Sequence, residues 1–287
     1  MLNPARVRDS ARVAARCAAV ATAAGWDWWL AETTADDPGA GMASEAVGAG
    51  ARLVVAIGGD GTVRACAQAL AGTAVPLAIV PRGTANLAAQ ALAIPARLDA
   101  ALACGFGGHE RRIDLATADG ITFVAMAGLG TDAAVVGATS ARLKTRAGWL
   151  AYAAVGAWHT RGRHTGFGIS LDGRPLATSA GSVVVGNAGL LPGGFRLLPD
   201  ARLDDGQLDV GVLAASSLLD WGVVARRVLT ASRHDDRRLA RYRARRVEIR
   251  ADRDLPRQVD GEVIAPGREL TVTVLPGALL VRVPGPA

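Results

Sequence analysis

The chain has 287 residues, enough for two ordinary domains with a substantial core, and half of them are hydrophobic. Its formal charge of +6 is carried almost wholly by arginine, and aromatic residues are scarce. Apolar blocks recur along the whole length, which excludes low-complexity disorder, and no zinc spacing or RNA-binding aromatic motif supports a nucleic-acid partner.

Cys17, Cys66 and Cys104 are odd in number and widely spaced, so a reduced, cytoplasmic setting is expected rather than a disulfide framework. The N-terminus lacks a basic patch followed by an apolar core, so no signal peptide is expected. The longest apolar stretch, Trp149–Trp158, is too short to span a bilayer.

In chain order, Ala11–Ala24 reads as an amphipathic helix, with Arg on one side and Val and Ala on the other. Trp26, Trp28 and Trp29 follow and are expected to pack between helix and sheet. Leu53–Ile57 is a continuous apolar run ending in Gly58-Gly59, the pattern of a buried parallel strand. A helix is expected from Val63 to Leu70, a second buried strand at Pro76–Val80, and another helix at Ala85–Leu92. Strand, glycine-rich turn, helix, strand, turn, helix describes an open α/β sheet.

The pattern changes near Asp114. Short alternating strands are expected at Ile121–Ala125, Gly166–Leu171, Ser182–Val185, Leu208–Leu213, Arg246–Arg250 and Leu270–Leu275, parted by Gly, Pro and Asp turns. Helical insertions are expected around Lys144–Trp158 and Leu218–Ser232. The fold class is thus an N-terminal α/β domain, residues 1–115, followed by a mostly antiparallel β domain, residues 116–287. The arginine run Arg237, Arg238, Arg241, Arg243, Arg245 and Arg246 reads first as a solvated face and second as a patch for anionic headgroups.

The strongest chemical signal is Gly58-Gly59-Asp60-Gly61-Thr62, between a buried strand and a helix. Glycines let backbone N–H groups approach a phosphate, and the helix N-terminus adds a favourable partial charge. An acid inside such a loop makes sense if Asp60 helps hold Mg²⁺ or a hydroxyl donor; otherwise it caps the helix. Pro81-Arg82-Gly83-Thr84-Ala85-Asn86 follows the next strand, and Thr84 and Asn86 offer polar groups at the same sheet edge.

Together these two loops resemble the diacylglycerol kinase catalytic domain, shared with sphingosine kinases and bacterial lipid kinases. The likeness continues in order through Asn3-Pro4, Arg112–Leu115, Gly186-Asn187, Pro192–Phe195, Pro199–Ala201, Asp204–Asp209, Asp260-Gly261-Glu262 and Leu275–Gly277. It implies an NAD kinase-like open sheet followed by a β-sandwich whose last residues return to the first domain. It implies ATP and Mg²⁺ as cofactors and transfer of a phosphoryl group to a lipid hydroxyl, diacylglycerol by default, between the two domains. Asn3, Gly58, Gly59, Asp60, Gly61, Thr62, Val63, Arg64, Thr84 and Asn86 are then the nucleotide-binding residues. Thr34, with Thr33 as the alternative, is the isolated ATP-contacting threonine. Glu262 is the general base, Asp60 shares the catalytic role, and Asp205 binds a structural Mg²⁺ with the carbonyls of Arg202 and Gln207.

The chain departs from the family pattern at Leu87, where an acid often follows the asparagine, leaving Asp60 and Asp114 to support Mg²⁺. Only Met1 and Leu2 precede Asn3, where relatives have a full first strand, and Ala5-Arg6-Val7 replaces a glycine- and lysine-bearing loop. Two other readings stay open: an NAD kinase-like enzyme, and a catalytically silent lipid- or nucleotide-binding protein. The partners expected are a lipid substrate met by peripheral contact with a membrane and no nucleic acid; a homodimer is left open.

Overall fold

The computed structural model describes residues 1–7, 9–130, 164–192 and 194–285. The insertion expected around Lys144–Trp158 lies outside them. The backbone forms two compact units, Met1–Leu115 with Pro276–Ala287, and Ala116–Leu275.

The first unit contains α1 (Ser10–Ala23), α2 (Ala40–Gly48), β1 (Val54–Gly58), α3 (Asp60–Leu70), β2 (Leu77–Pro81), α4 (Leu87–Ala91) and α5 (Leu98–Gly107), and then enters β3 (His109–Ala118). β1 and β2 run parallel, in register from Val54↔Leu77 to Gly58↔Pro81. Both are buried on two faces, which is why they read as unbroken apolar runs. Leu2, fully buried, bridges in parallel to Ile57 on one side and Glu32 on the other. Two or three residues therefore stand where a first strand is expected. Helices α2 and α5 were not expected. Their buried positions are mostly alanine, glycine and cysteine, such as Ala43, Ala46, Ala101 and Cys104, which give a weak amphipathic signal.

The second unit is antiparallel. β4 (Ile121–Phe123), β5 (Met126–Gly130), β6 (Thr165–Leu171), β7 (Arg174–Ala180), β8 (Ser182–Gly186), the short pair β9 (Leu190–Leu191) and β10 (Phe195–Arg196), β11 (Leu208–Leu213), α6 (Leu218–Leu229), β12 (Leu239–Ala244), β13 (Arg246–Val259) and β14 (Glu262–Val283) follow in order. β13 pairs with β5, β6 and β14, and β5, β8, β11 and β12 pair in succession. β14 leaves this unit at Leu275, and its last residues join the first, where Val281 pairs in parallel with Leu77. β13 and β14 are longer than expected because exposed charges and two register shifts, after Arg250 and after Leu255, hide the alternation.

Three hairpins turn on Asp-Gly: Asp119-Gly120, Asp172-Gly173 and Asp260-Gly261, each with both residues at positive φ. This is the two-residue geometry that matches strand twist, and aspartate tolerates the left-handed first position. Phe123, Leu129, Val183, Val210, Val247 and Leu270 lie in the larger core. A second core forms where α6 lays Trp221, Val224, Ala225 and Val228 against Leu197, Leu198 and Leu239.

The expected arginine face is β12 and its flanks. Arg238 pairs with Asp220 and Asp236, Arg241 with Asp235, Arg243 with Asp205, and Arg246 with Glu248. Arg227, 8% exposed, donates both Nη groups to Asp236 at 2.8 and 2.9 Å. That guanidinium, joined by Arg238, holds the Asp236 carboxyl well below the usual carboxylate range. Arg238 and Ser217 do the same for Asp220.

A depressed folded-state pKa contributes stability above the unfolded value, near 4, and that contribution fades as pH falls toward the folded value. Asp236→Asn is therefore expected to lower Tm by roughly 2–6 °C at neutral pH. The gap should close as melts are taken below about pH 4. A gap of constant size from neutral to strongly acid pH would contradict the assignment.

Candidate active site

The loops after β1 and β2 are locked together at the carboxyl ends of these neighbouring parallel strands. Gly59 and Gly83 lie back to back. A Cβ built on Gly83 would stand 2.3 Å from the Gly59 Cα, and one on Gly59 would stand 3.0 Å from the Gly83 Cα. The Gly58 carbonyl accepts from the N–H groups of Arg82 at 2.7 Å and Gly83 at 3.1 Å.

Asp60 opens α3, and both of its carboxylate oxygens face the second loop. Oδ2 accepts from the Asn86 N–H at 2.8 Å, and Oδ1 accepts from the Leu87 N–H at 2.6 Å. Burial pushes this carboxyl up, and the backbone donors pull it back. Asn86 sits at φ 50° and closes its own loop, accepting from the Gly83 N–H and donating Nδ2–H to the Gly83 carbonyl, both at 2.9 Å. Asn3 donates through Nδ2 to Thr62 Oγ1 at 3.2 Å. Gly58 has to lack a side chain because a Cβ there would meet that hydroxyl at 2.6 Å.

Asp60 with Asn86, Gly58 with Gly83, and Asn3 with Thr62 are thus each bonded at this edge, while Gly61 and Thr84 are exposed beside them. Thr62 and Val63 are buried, so their side chains belong to packing, and Arg64 is half-buried. Leu87 is also buried and fills the core under α4. Thr34 is exposed, and its hydroxyl accepts from the Asp37 N–H at 3.0 Å. Asp37 in turn takes the Gly39, Gly41 and Met42 N–H groups at the start of α2, which hold its carboxyl below the usual range. Asp114 is 3% exposed and accepts from the Gly277 N–H at 2.7 Å, pinning the returning chain rather than facing solvent. Trp26 packs edge-on against Phe106 of α5, their centroids 6.2 Å apart, with Arg52 over its ring. The packing expected of Trp28 and Trp29 does not occur, and both are about half exposed.

In the second unit, Glu262 is exposed at the first position of β14, directly after the Asp260-Gly261 turn. Asp260 anchors that turn by accepting from Val124 at 2.9 Å, Ala125 at 2.8 Å and Met126 at 3.0 Å. Buried Gln258 accepts from the Gly261 N–H, and buried Asn187 donates to the Val124 carbonyl. The roles of Asp260, Gln258 and Asn187 were not anticipated. Aspartate-glycine at a hairpin signals the turn but not which backbone its carboxylate will bind.

The implied structural Mg²⁺ site has a different occupant. Asp205 Oδ1 accepts from the Gln207 N–H at 3.1 Å, and its Oδ2 pairs with the Arg243 guanidinium. A carboxylate engaged on both oxygens, one of them by a fixed cation, does not fit a divalent ion bound with the Arg202 and Gln207 carbonyls. Among the described residues, no group of three or more His, Cys, Asp or Glu side chains is arranged to hold a metal.

Comparison with known proteins agrees with this architecture. Residues 2–118 match the diacylglycerol kinase catalytic domain, and residues 125–283 match the YegS C-terminal NAD kinase beta sandwich-like domain. A Pseudomonas fluorescens protein named "Probable lipid kinase YegS-like" is 35% identical over 270 residues, covering 91% of this chain and 87% of its own. A Pseudomonas aeruginosa protein of the same name is 36% identical over 252 residues, covering 85% and 80%. The crystal structure of a diacylglycerol kinase from Bacillus anthracis superposes with a TM-score of 0.77 at 21% identity, covering 98% of this chain and 94% of that one. An NAD kinase from Archaeoglobus fulgidus gives 0.51 at 11% identity, covering 94% and 88%. The fold is accordingly an α/β domain of this type followed by a β-rich sandwich domain.

The glycine contact makes a sharp prediction about packing. Gly83→Ala should lower Tm by several degrees, since forcing a methyl into a filled space costs about 1–3 kcal/mol. Gly61→Ala meets nothing within 4 Å and should leave Tm unchanged or raised. Equal melting of the two variants would mean that the loops are not held in contact.

Proposed function

The chain belongs to the diacylglycerol kinase-like family of lipid kinases, and from that membership we propose that it transfers the γ-phosphoryl group of MgATP to the hydroxyl of a diacylglycerol-class lipid. The observation that carries the reading is the pair of loops bonded to each other at the ends of β1 and β2, at the N-terminus of α3. The open space at Gly61 lets a phosphate approach the first loop closely, and the helix end supplies partial positive charge.

In this reading Asn3, the Gly58–Arg64 loop, Thr84 and Asn86 hold the triphosphate, and Thr34 contacts the nucleotide. Asp60 acts as a positioning residue, because its carboxylate sets the second loop against the first. Glu262 takes the proton from the attacking hydroxyl, and the rigid Asp260 anchor fixes where the turn presents it. Mg²⁺ bound with ATP would supply charge neutralisation for the transferring phosphoryl group. The substrate class is supported by the names of the relatives, lipid kinases and a diacylglycerol kinase. No helix among the described residues is long and apolar enough to cross a membrane. The enzyme meets its water-insoluble substrate by peripheral contact.

The test is transfer of label from ATP with Mg²⁺ to a panel of lipids in mixed micelles, with NAD as a parallel acceptor. Label should appear in the diacylglycerol-class lipid, and Glu262→Gln should lower kcat by about 100-fold or more while KM for ATP stays nearly constant. Asp260→Asn should reduce kcat by a smaller factor in the same direction. Label in NAD instead of lipid would assign the chain to nucleotide phosphorylation. Bound ATP with no transfer to any acceptor would make it a silent binding protein.

A further inference from the structure

We propose that Arg243 is the resident cation of the Asp205–Asp209 turn, a built-in replacement for a structural divalent metal in the second unit. The placement comes from the sheet. β11 and β12 pair in register so that Arg243 lies directly across from Asp209. From there its guanidinium reaches both acids. Nη2 pairs with Asp205 Oδ2, and Nε lies 3.6 Å from Asp209 Oδ2.

Asp209 needs such a neighbour. It is 4% exposed on a strand whose every residue is buried, and its Oδ2 has no hydrogen-bond partner. A carboxylate in that position is costly unless a positive charge stands close by. Asp205 and Asp200 add negative charge nearby. Arg233 takes up Asp200 at 2.6 Å, and Arg241, two residues before Arg243 on β12, bonds the Leu197 carbonyl and Asp235. Arg243 is therefore the cation directed at the Asp205–Asp209 pair.

A guanidinium and a divalent ion are alternative answers to the same charge problem. Arginine's planar fork can face two carboxylates at once, and it stays charged at any physiological pH. With Arg243 in place, a metal would have to displace it from Asp205 and then sit beside the displaced charge. The inference is independent of the kinase reading, because the nucleotide's own Mg²⁺ belongs to ATP.

The experiment measures Tm and metal content of the full chain without nucleotide, in excess EDTA and in saturating Mg²⁺. Wild-type protein should carry no stoichiometric Mg²⁺ and melt at the same temperature in both conditions. Arg243→Met should melt about 5 °C or more lower, since it strands a buried acid. Arg243→Lys should fall between, and Mg²⁺ should restore part of the loss in Arg243→Met. Should Arg243→Met fail to fold, the double variant Arg243→Met/Asp209→Asn, which removes the charge needing compensation, should recover a folded protein. A wild-type Tm that drops in EDTA and returns with Mg²⁺ would overturn the proposal. So would an Arg243→Met variant as stable as wild type, or a double variant no better than the single.

Discussion

Carboxylates bound to backbone N–H groups hold this molecule's loops in shape. Asp37 gathers the first turn of α2, Asp60 takes the two amides that begin α4, and Asp260 takes three consecutive amides from Val124 to Met126. Asp119 and Asp172 do the same from the other Asp-Gly turns, binding the amides of Thr271 and of Arg245 and Arg246. Each pairing satisfies donors that strand ends and helix starts leave open, and a charged acceptor makes the bond stronger than a neutral one. The cost of fixing an irregular loop is offset where it is incurred.

This explains what could be read from residues alone. β1 and β2 were legible because a strand covered on both faces has one composition along its length, and the glycines after each strand announced a tight turn. β8 and β11 were legible for the same reason. α2 and α5 were not, because alanine and glycine suit a buried and an exposed face equally well. The middle of β13 and the start of β14 were obscured by Arg253, Asp254, Arg257, Arg268 and Glu269. Four of these charges are exposed and Arg257 is half-buried, and register shifts carry the pairing past them.

The site was legible in its members more than in their contacts. Gly58 to Thr62 and Asn86 could be picked out by type and spacing, and Asp60 is bonded to Asn86. That Asp60 points at Asn86 and Leu87 could not be read, because a contact 26 residues away depends on how two loops meet. The bond between the expected metal ligand Asp205 and Arg243 could not be read for a comparable reason. Arg243 sits on a strand that looked like a solvated arginine face, and only the β11–β12 register brings the two together. Asp220, 18 residues away, likewise pairs with Arg238, while Arg241 and Arg246 find acids close to them in the chain.

The contact between Gly59 and Gly83 also bears on how such a chain can drift over generations. Every missense change of a glycine codon adds at least a Cβ, and here one added atom on either residue meets the other's backbone. Neither position is left-handed, so the restriction comes from space alone and no alternative small side chain escapes it. Compensation at the partner is closed too, because the partner is already glycine and has nothing to give up. The two codons are therefore constrained as a pair, and variation in this lineage has to accumulate elsewhere in the chain.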